Sequence, residues 1–206
     1  MLAARLGATG LESDVWRTRD GEAVLDHDGV VRQGLRKRPI AELDRAELPP
    51  HIPTLGDLYA AVGTDLEISL DVKDAAAFDR TVAVARGAGG AAVERLWLCH
   101  HRWEQVAEWR ARCPDVHLVD STFLGHMPEG TEQRAAALAR SGVDAVNLHH
   151  SEWTGGLTAL FHRFGVLCFG WDAQHDRVLD QLLDDGIDAV YSDHVDRMVD
   201  ALNRAA

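Results

Sequence analysis

The sequence predicts an α/β protein, a (β/α)8 TIM barrel that is N-terminally incomplete because its first strand is missing. Three observations carry the prediction. Apolar strand-like runs alternate with stretches of helical spacing almost to the end of the chain, the pattern of a parallel sheet covered by helices. Polar groups recur at the C-terminal ends of many strands: Asp14, His27, Asp71 with Lys73, His100, Asp120, His149, Asp172 and Asp193. Barrel sites are assembled from several strand ends, whereas an open sheet gathers its groups near one switch point. Neither G-x-G-x-x-G nor a Walker pattern occurs here. Finally, only nine residues precede the first strand, and they read as the tail of a helix.

The elements follow in order. Strands are expected near 10–15, 23–27, 66–73, 95–99, 116–120, 144–148, 166–171 and 188–192. Helices are expected at 76–88, 102–112, 131–141, 156–164 and 175–185, where apolar residues recur at helical spacing. A short spacer repeats: Ser141-Gly142-Val143-Asp144-Ala145-Val146 returns as Asp185-Gly186-Ile187-Asp188-Ala189-Val190, and Leu6-Gly7-Ala8-Thr9-Gly10-Leu11 is a looser version. Each reads as a helix-capping glycine followed by a buried strand. No linker or low-complexity segment interrupts the run, so one domain over 1–206 is expected.

Composition narrows the function. The 206 residues are 46% hydrophobic, enough for a sizeable core. The formal charge of −12 argues against nucleic acid or an anionic membrane as the main partner. Cys99, Cys113 and Cys168 fit no disulfide framework and no zinc spacing, and read as free thiols of a cytoplasmic protein. No apolar run is long enough to span a membrane, and Met1–Leu6 is too short for a secretory core, so no stable membrane anchor is expected.

Two carboxylates, Glu12 and Asp14, lie two residues apart on the first strand and so share a face. An Asp20-Gly21 turn follows, and the next strand ends at His27, between Asp26 and Asp28. In Leu66–Asp74 the apolar Leu66, Ile68, Leu70 and Val72 share one face, and Glu67, Ser69, Asp71 and Lys73 the other. Asp71 and Lys73 reach the active end, whereas Glu67 lies toward the floor and is expected to be solvated. Three carboxylates, Glu12, Asp14 and Asp71, form an oxygen-only set that suits Mg²⁺ or Ca²⁺ better than zinc. Lys73 neutralises that set or touches a phosphoryl oxygen. A histidine titrating near neutrality makes His27 a proton-transfer group.

These segments resemble the glycerophosphodiester phosphodiesterase family. Its pattern G-x-x-x-E-x-D-V-x-x-T-x-D-G-x-x-V-x-x-H-D aligns with Gly7 through Asp28, with Glu12, Asp14, Thr18, Asp20, Gly21, His27 and Asp28 in the corresponding places. Ile52-Pro53-Thr54-Leu55-Gly56-Asp57 resembles its I-P-T-L-x-E, and Leu70-Asp71-Val72-Lys73 its I-E-I-K with Asp in place of Glu. Phe169-Gly170-Trp171-Asp172 and Tyr191-Ser192-Asp193-His194 resemble its later strand ends.

The resemblance implies a (β/α)8 barrel that hydrolyses glycerophosphodiesters to glycerol 3-phosphate and an alcohol. It implies Glu12, Asp14 and Asp71 as ligands of a divalent metal, and His27, Glu12 and Lys73 as catalytic residues. Lys73 and Trp171 then contact the substrate. The family also begins with an H-R-G strand end and a P-E-N-T segment, which nothing before Gly7 supplies. We expect an upstream segment, lost to a misassigned start, to carry that second histidine and arginine.

Two alternatives stand beside this reading. One is a catalytically inactive barrel that binds ligand. The other is a zinc hydrolase of the amidohydrolase type using His100, His149 and Asp172. The histidine pairs His100-His101 and His149-His150 suggest transition-metal ligands, although neighbours on a strand point to opposite faces, which leaves at most one of each pair facing inward. The basic run Arg32, Arg36, Lys37 and Arg38 is expected in a loop after His27.

Overall fold

The computed structural model describes residues 2–33 and 36–205, with Met1 of the expected N-terminal segment and the Gly34-Leu35 link within the basic run outside them. In chain order the helices are α1 (Leu2–Arg5), α2 (Leu55–Val62), α3 (Phe78–Ala88), α4 (Gly90–Glu94), α5 (Trp103–Arg112), α6 (Thr131–Ser141), α7 (Gly155–Arg163), α8 (Asp176–Asp184) and α9 (Val195–Ala205). The strands are β1 (Gly10–Arg17), β2 (Ala23–Leu25), β3 (Val30–Gln33), β4 (Arg36–Pro39), β5 (Glu67–Val72), β6 (Leu96–His100), β7 (His117–Ser121), β8 (Ala145–His149), β9 (Leu167–Trp171) and β10 (Ala189–Val190). The expected strands and helices are present, with no end shifted by more than two residues. The expected helix tail before the first strand is α1, and β3, β4, α2, α4 and α9 add detail that the periodicity underspecified.

The chain forms two compact units, Thr9–Leu98 and Leu2–Ala8 with Cys99–Ala206. The boundary falls inside β6, so no linker composition marks it.

In the first unit the sheet order is β6-β5-β1-β2. β1 runs parallel to β5, with Glu12 opposite Ser69 and Asp14 opposite Asp71. Residues in register on neighbouring strands share a face. Leu11, Ser13 and Val15 therefore pair with Ile68, Leu70 and Val72 on the other face, where Val15, Ile68, Leu70 and Val72 are buried. Burying each such side chain stabilises by about 1.5–3 kcal/mol. β2 pairs antiparallel with the end of β1, Val15 opposite Leu25.

The basic run is not a loop. β3 and β4 pair as an antiparallel ribbon, with Val31 opposite Arg38 and Arg32 opposite Lys37. Its apolar side closes a satellite core of Val24, Val31, Ile40, Leu43, Leu48 and Ile52, with Trp16 packed against it. Gly29 is required here: at φ 67 a Cβ would meet the Trp16 ring at 2.4 Å. The Ile52–Leu58 segment starts α2 through a capping box. Asp57 N–H donates to Thr54 Oγ1 at 3.0 Å and Thr54 N–H donates to Asp57 Oδ2 at 2.8 Å.

In the second unit β7, β8, β9 and β10 run parallel, with Ser121 opposite Asn147, His149 opposite Trp171 and Ala189 opposite Phe169. The repeated spacer has a physical explanation. Gly142 and Gly186 adopt positive φ as each helix ends. Asp144 Oδ2 then accepts the Leu118 N–H at 2.7 Å and pairs with Arg110 of α5. Asp188 Oδ2 likewise accepts the Cys168 N–H at 2.7 Å and pairs with His162 of α7, also at 2.7 Å. Each aspartate thus ties the start of its strand to the preceding strand and to a side chain of a helix. Thr9 stands in that place in the looser repeat; it lacks the carboxylate, and only its carbonyl accepts, from Glu67 N–H at 3.1 Å.

Asp120 is closed off from solvent. It is fully buried and pairs with Arg134 of α6 at 2.8 Å. Arg134 also binds Glu129 at 2.5 Å and lies over the Trp103 ring. Burial pushes the Asp120 carboxyl up to about 6 against the pull of Arg134.

Candidate functional site

The β1–β5 register places Asp14 beside Asp71, and Lys73 follows at the end of β5. Lys73 Nζ lies 3.1 Å from Asp14 Oδ1 and in direct contact with Asp71 Oδ2. Burial alone would lower its pKa, but the contacts with Asp71 and Asp14 outweigh burial and raise it. Asp14 is buried, and desolvation lifts its carboxyl against the pull of Lys73.

Glu12 is pushed up to about 7, by crowding among protein atoms first and then by the charges of Asp14 and Asp71. Its side chain keeps an open face, which lets solvent screen part of that push. Three carboxylates thus share one cation, Lys73. Such an unbalanced oxygen-donor set matches what a hard divalent cation relieves.

The Asp26 N–H donates to Asp14 O at 3.1 Å, which brings the end of β2 against β1. Asp26, which the sequence sets beside His27, is a turn residue: its Oδ2 accepts the Gly29 N–H at 2.8 Å, and its carbonyl accepts the Trp16 indole N–H at 2.7 Å. His27 projects from this turn with 91% of its side chain exposed. Its Nδ1 pairs with Asp28 at 3.0 Å, and that bond, followed by the charge of Asp14, raises its pKa. A cavity of about 430 Å³ lies alongside, with Glu12, Asp26 and His27 on its polar wall and Leu11, Leu25, Leu58 and Ile68 on its apolar one. Glu67 is not simply solvated: its Oε2 accepts the Trp97 indole N–H at 2.7 Å.

In the second unit Trp171 ends β9. It packs edge-on against His149 at 4.6 Å and against Phe123 at 5.6 Å. Phe123, an exposed aromatic just past β7, was missed by sequence reasoning; its only signal is an unpaired apolar residue after a strand end.

His100 does not join His149 and Asp172. It is buried edge-on against Trp109 of α5, and its Nδ1 accepts the Arg102 N–H. The trio His100, His149 and Asp172 is therefore not assembled. His149 and His150 do converge, contrary to the alternation rule, because His149 is the last strand residue and His150 opens a 3-10 turn. Asp193 is occupied by Gln174, whose Nε2 donates to it at 3.1 Å. All three cysteines are free and buried. Among the described residues, no helix is long and apolar enough to cross a membrane.

The chain is similar to known proteins in sequence and in fold. The profile of the glycerophosphoryl diester phosphodiesterase family matches residues 1–197. The Mycobacterium tuberculosis (strain ATCC 25618 / H37Rv) protein named Probable glycerophosphodiester phosphodiesterase 2 is 29% identical, over 97% of this chain and 81% of that protein. Two solved structures share the fold. A glycerophosphodiester phosphodiesterase from Thermotoga maritima aligns with a TM-score of 0.80 at 19% identity, over 97% of this chain and 88% of that one. An Oleispira antarctica phosphodiesterase, solved with the product sn-glycerol-3-phosphate, aligns with a TM-score of 0.83 at 18% identity, over 98% and 88%. The TIM-barrel class expected from the sequence is the class of these structures. With residues 1–197 matched, the chain belongs to the glycerophosphoryl diester phosphodiesterase family.

Proposed function

We propose that the first unit carries the hydrolytic centre for glycerophosphodiesters, yielding glycerol 3-phosphate and an alcohol. The observation that carries this reading is the register that sets Asp14 beside Asp71 with Lys73 across both. Glu12, Asp14 and Asp71 would hold a divalent ion, Mg²⁺ or Ca²⁺. When bound, it supplies positive charge for the phosphoryl oxygens as negative charge builds on them.

The remaining chemistry belongs to the chain itself. Lys73, kept protonated by its two aspartates, offers a fixed positive charge to a phosphoryl oxygen. His27, with its pKa raised by Asp28, is suited to deliver a proton to the oxygen of the departing alcohol. Asp28 acts on the substrate only through His27. The apolar wall of the 430 Å³ cavity, with Leu25 and Leu58, gives an apolar part of the substrate a surface to pack on beside Glu12. For Trp171 the proposal is a substrate contact, supported by its edge-on neighbours Phe123 and His149. The three buried free thiols support a reducing, cytoplasmic setting.

The test is release of glycerol 3-phosphate from glycerophosphoethanolamine by the full-length protein, with Mg²⁺ or Ca²⁺ and with chelator. Hydrolysis that needs the ion and disappears in Asp71→Asn supports the reading. Ion binding without turnover favours an inactive, ligand-binding barrel.

A further inference from the structure

We propose that His149, His150 and Asp172 form a second cation site, in the second unit, selective for a divalent transition ion such as Zn²⁺, Ni²⁺ or Co²⁺. One ligand atom from each residue lies within 4.8 Å of the others. His149 Nε2 and Asp172 Oδ2 are 3.3 Å apart. Two ligands held at about 2.0–2.2 Å in tetrahedral geometry lie about 3.4 Å apart, so this edge is already at its bound length. The second imidazole is supplied by the step from strand to 3-10 turn, which brings the rings of His149 and His150 to 4.3 Å.

The surroundings fit ligation as well. Asp172 is the one non-glycine residue with positive φ among the described residues, at 60. Strain of this kind persists only where its surroundings impose it, and here Gln174 Nε2 holds the other carboxylate oxygen, Oδ1, at 3.2 Å. His149 Nδ1 lies 2.7 Å from Ser151 Oγ. That ring nitrogen also accepts the Ser151 N–H at 3.3 Å, so a cation at Nε2 would displace that bond by moving the ring proton to Nδ1, from which Ser151 Oγ would accept it. Two imidazoles with one carboxylate suit transition ions, whereas the oxygen-only set of the first unit suits harder ones.

The other convergent group, His162, Cys168 and Asp188, serves a different purpose. Its Cys168 thiol is fully buried and is pushed up to about 12, by burial first and then by the charge of Asp188. Asp188 Oδ2 is already taken by the Cys168 N–H and His162.

Zn²⁺ and Co²⁺ binding to the metal-free full-length protein tests the proposal, by calorimetry in excess Mg²⁺. One tight transition ion per chain is expected. Its affinity should fall at least tenfold in His150→Gln and in Asp172→Asn, and it should be unchanged in His162→Gln and in Glu12→Gln. Histidine-ring NMR gives a second readout that needs no variant: Zn²⁺ should shift the His149 and His150 signals and leave those of His162 in place. Absence of tight binding, or binding that survives a His149→Gln/His150→Gln double variant, overturns the site.

Discussion

Each unit holds two acids bound to one cation, and the two clusters have opposite fates. In the first unit Lys73 bridges Asp14 and Asp71 with 36% of its side chain exposed. In the second, Arg134 joins Asp120 and Glu129 with 5% exposed. The planar guanidinium is locked from several directions, with a bond to the His126 carbonyl and Trp103 beneath it. The single ammonium of Lys73 also acts electrostatically on a third carboxylate, Glu12, whose side chain keeps an open face. A closed cluster organises the fold, whereas an open one with excess negative charge is organised for something that arrives.

The sharpest way to break this comparison is to remove one charged partner from each cluster. Asp71→Asn should lower hydrolysis about 10³-fold, by loss of metal-assisted charge stabilisation, with little change in melting temperature. Steady-state kinetics and a thermal melt check both halves. Arg134→Met should do the reverse. It strands Asp120 in the interior and costs about 3–5 kcal/mol of stability in a denaturant titration, while folded protein keeps its specific activity. An Asp120→Leu/Arg134→Met double variant should recover most of that loss, because an apolar pair leaves no buried charge.

Lys73→Met sharpens the contrast. It should lower kcat about 10²-fold by removing one charge from the developing phosphoryl oxyanion, and it should leave the carboxylates to repel one another. The smallest effect is in pH. Glu12 and Asp120 both have folded-state pKa values above their ordinary ones, at about 7 and about 6. Each is favoured by folding when neutral, so each contribution is complete below its unfolded pKa and is lost as pH rises through the folded value. His27, also raised, acts in the same direction at slightly higher pH. The metal-free protein should therefore lose melting temperature between pH 4.5 and 7. Glu12→Gln should flatten part of that slope, and added Ca²⁺ should reverse the Glu12 share. The lowered acids Asp20, Asp44 and Asp57 act with the opposite sign and below this window.

Much of this was legible in the sequence because the signal was local. The i, i+2 spacing of Glu12 and Asp14 needs only a strand, and the Asp144 and Asp188 spacers carry their own glycine caps. Asp71 beside Asp14 required one further assumption, the register of two parallel strands, and the motif spacing supplied it. What was hidden depended on distant partners. The fate of Asp120 is decided by Arg134, on the next helix. The β3–β4 ribbon was masked by Arg36, Lys37 and Arg38, whose charge reads as a loop although the backbone pairs. The convergence of His149 and His150 turned on where β8 ends, and a one-residue difference in a strand end decides whether neighbours share a side.

The most direct test of the central claim is calcium binding to the metal-free protein, comparing the unaltered chain with Asp71→Asn by calorimetry. The account predicts one Ca²⁺ per chain in the former and its loss in the latter. Equal binding by both would place the ion elsewhere and would contradict the assignment of Glu12, Asp14 and Asp71.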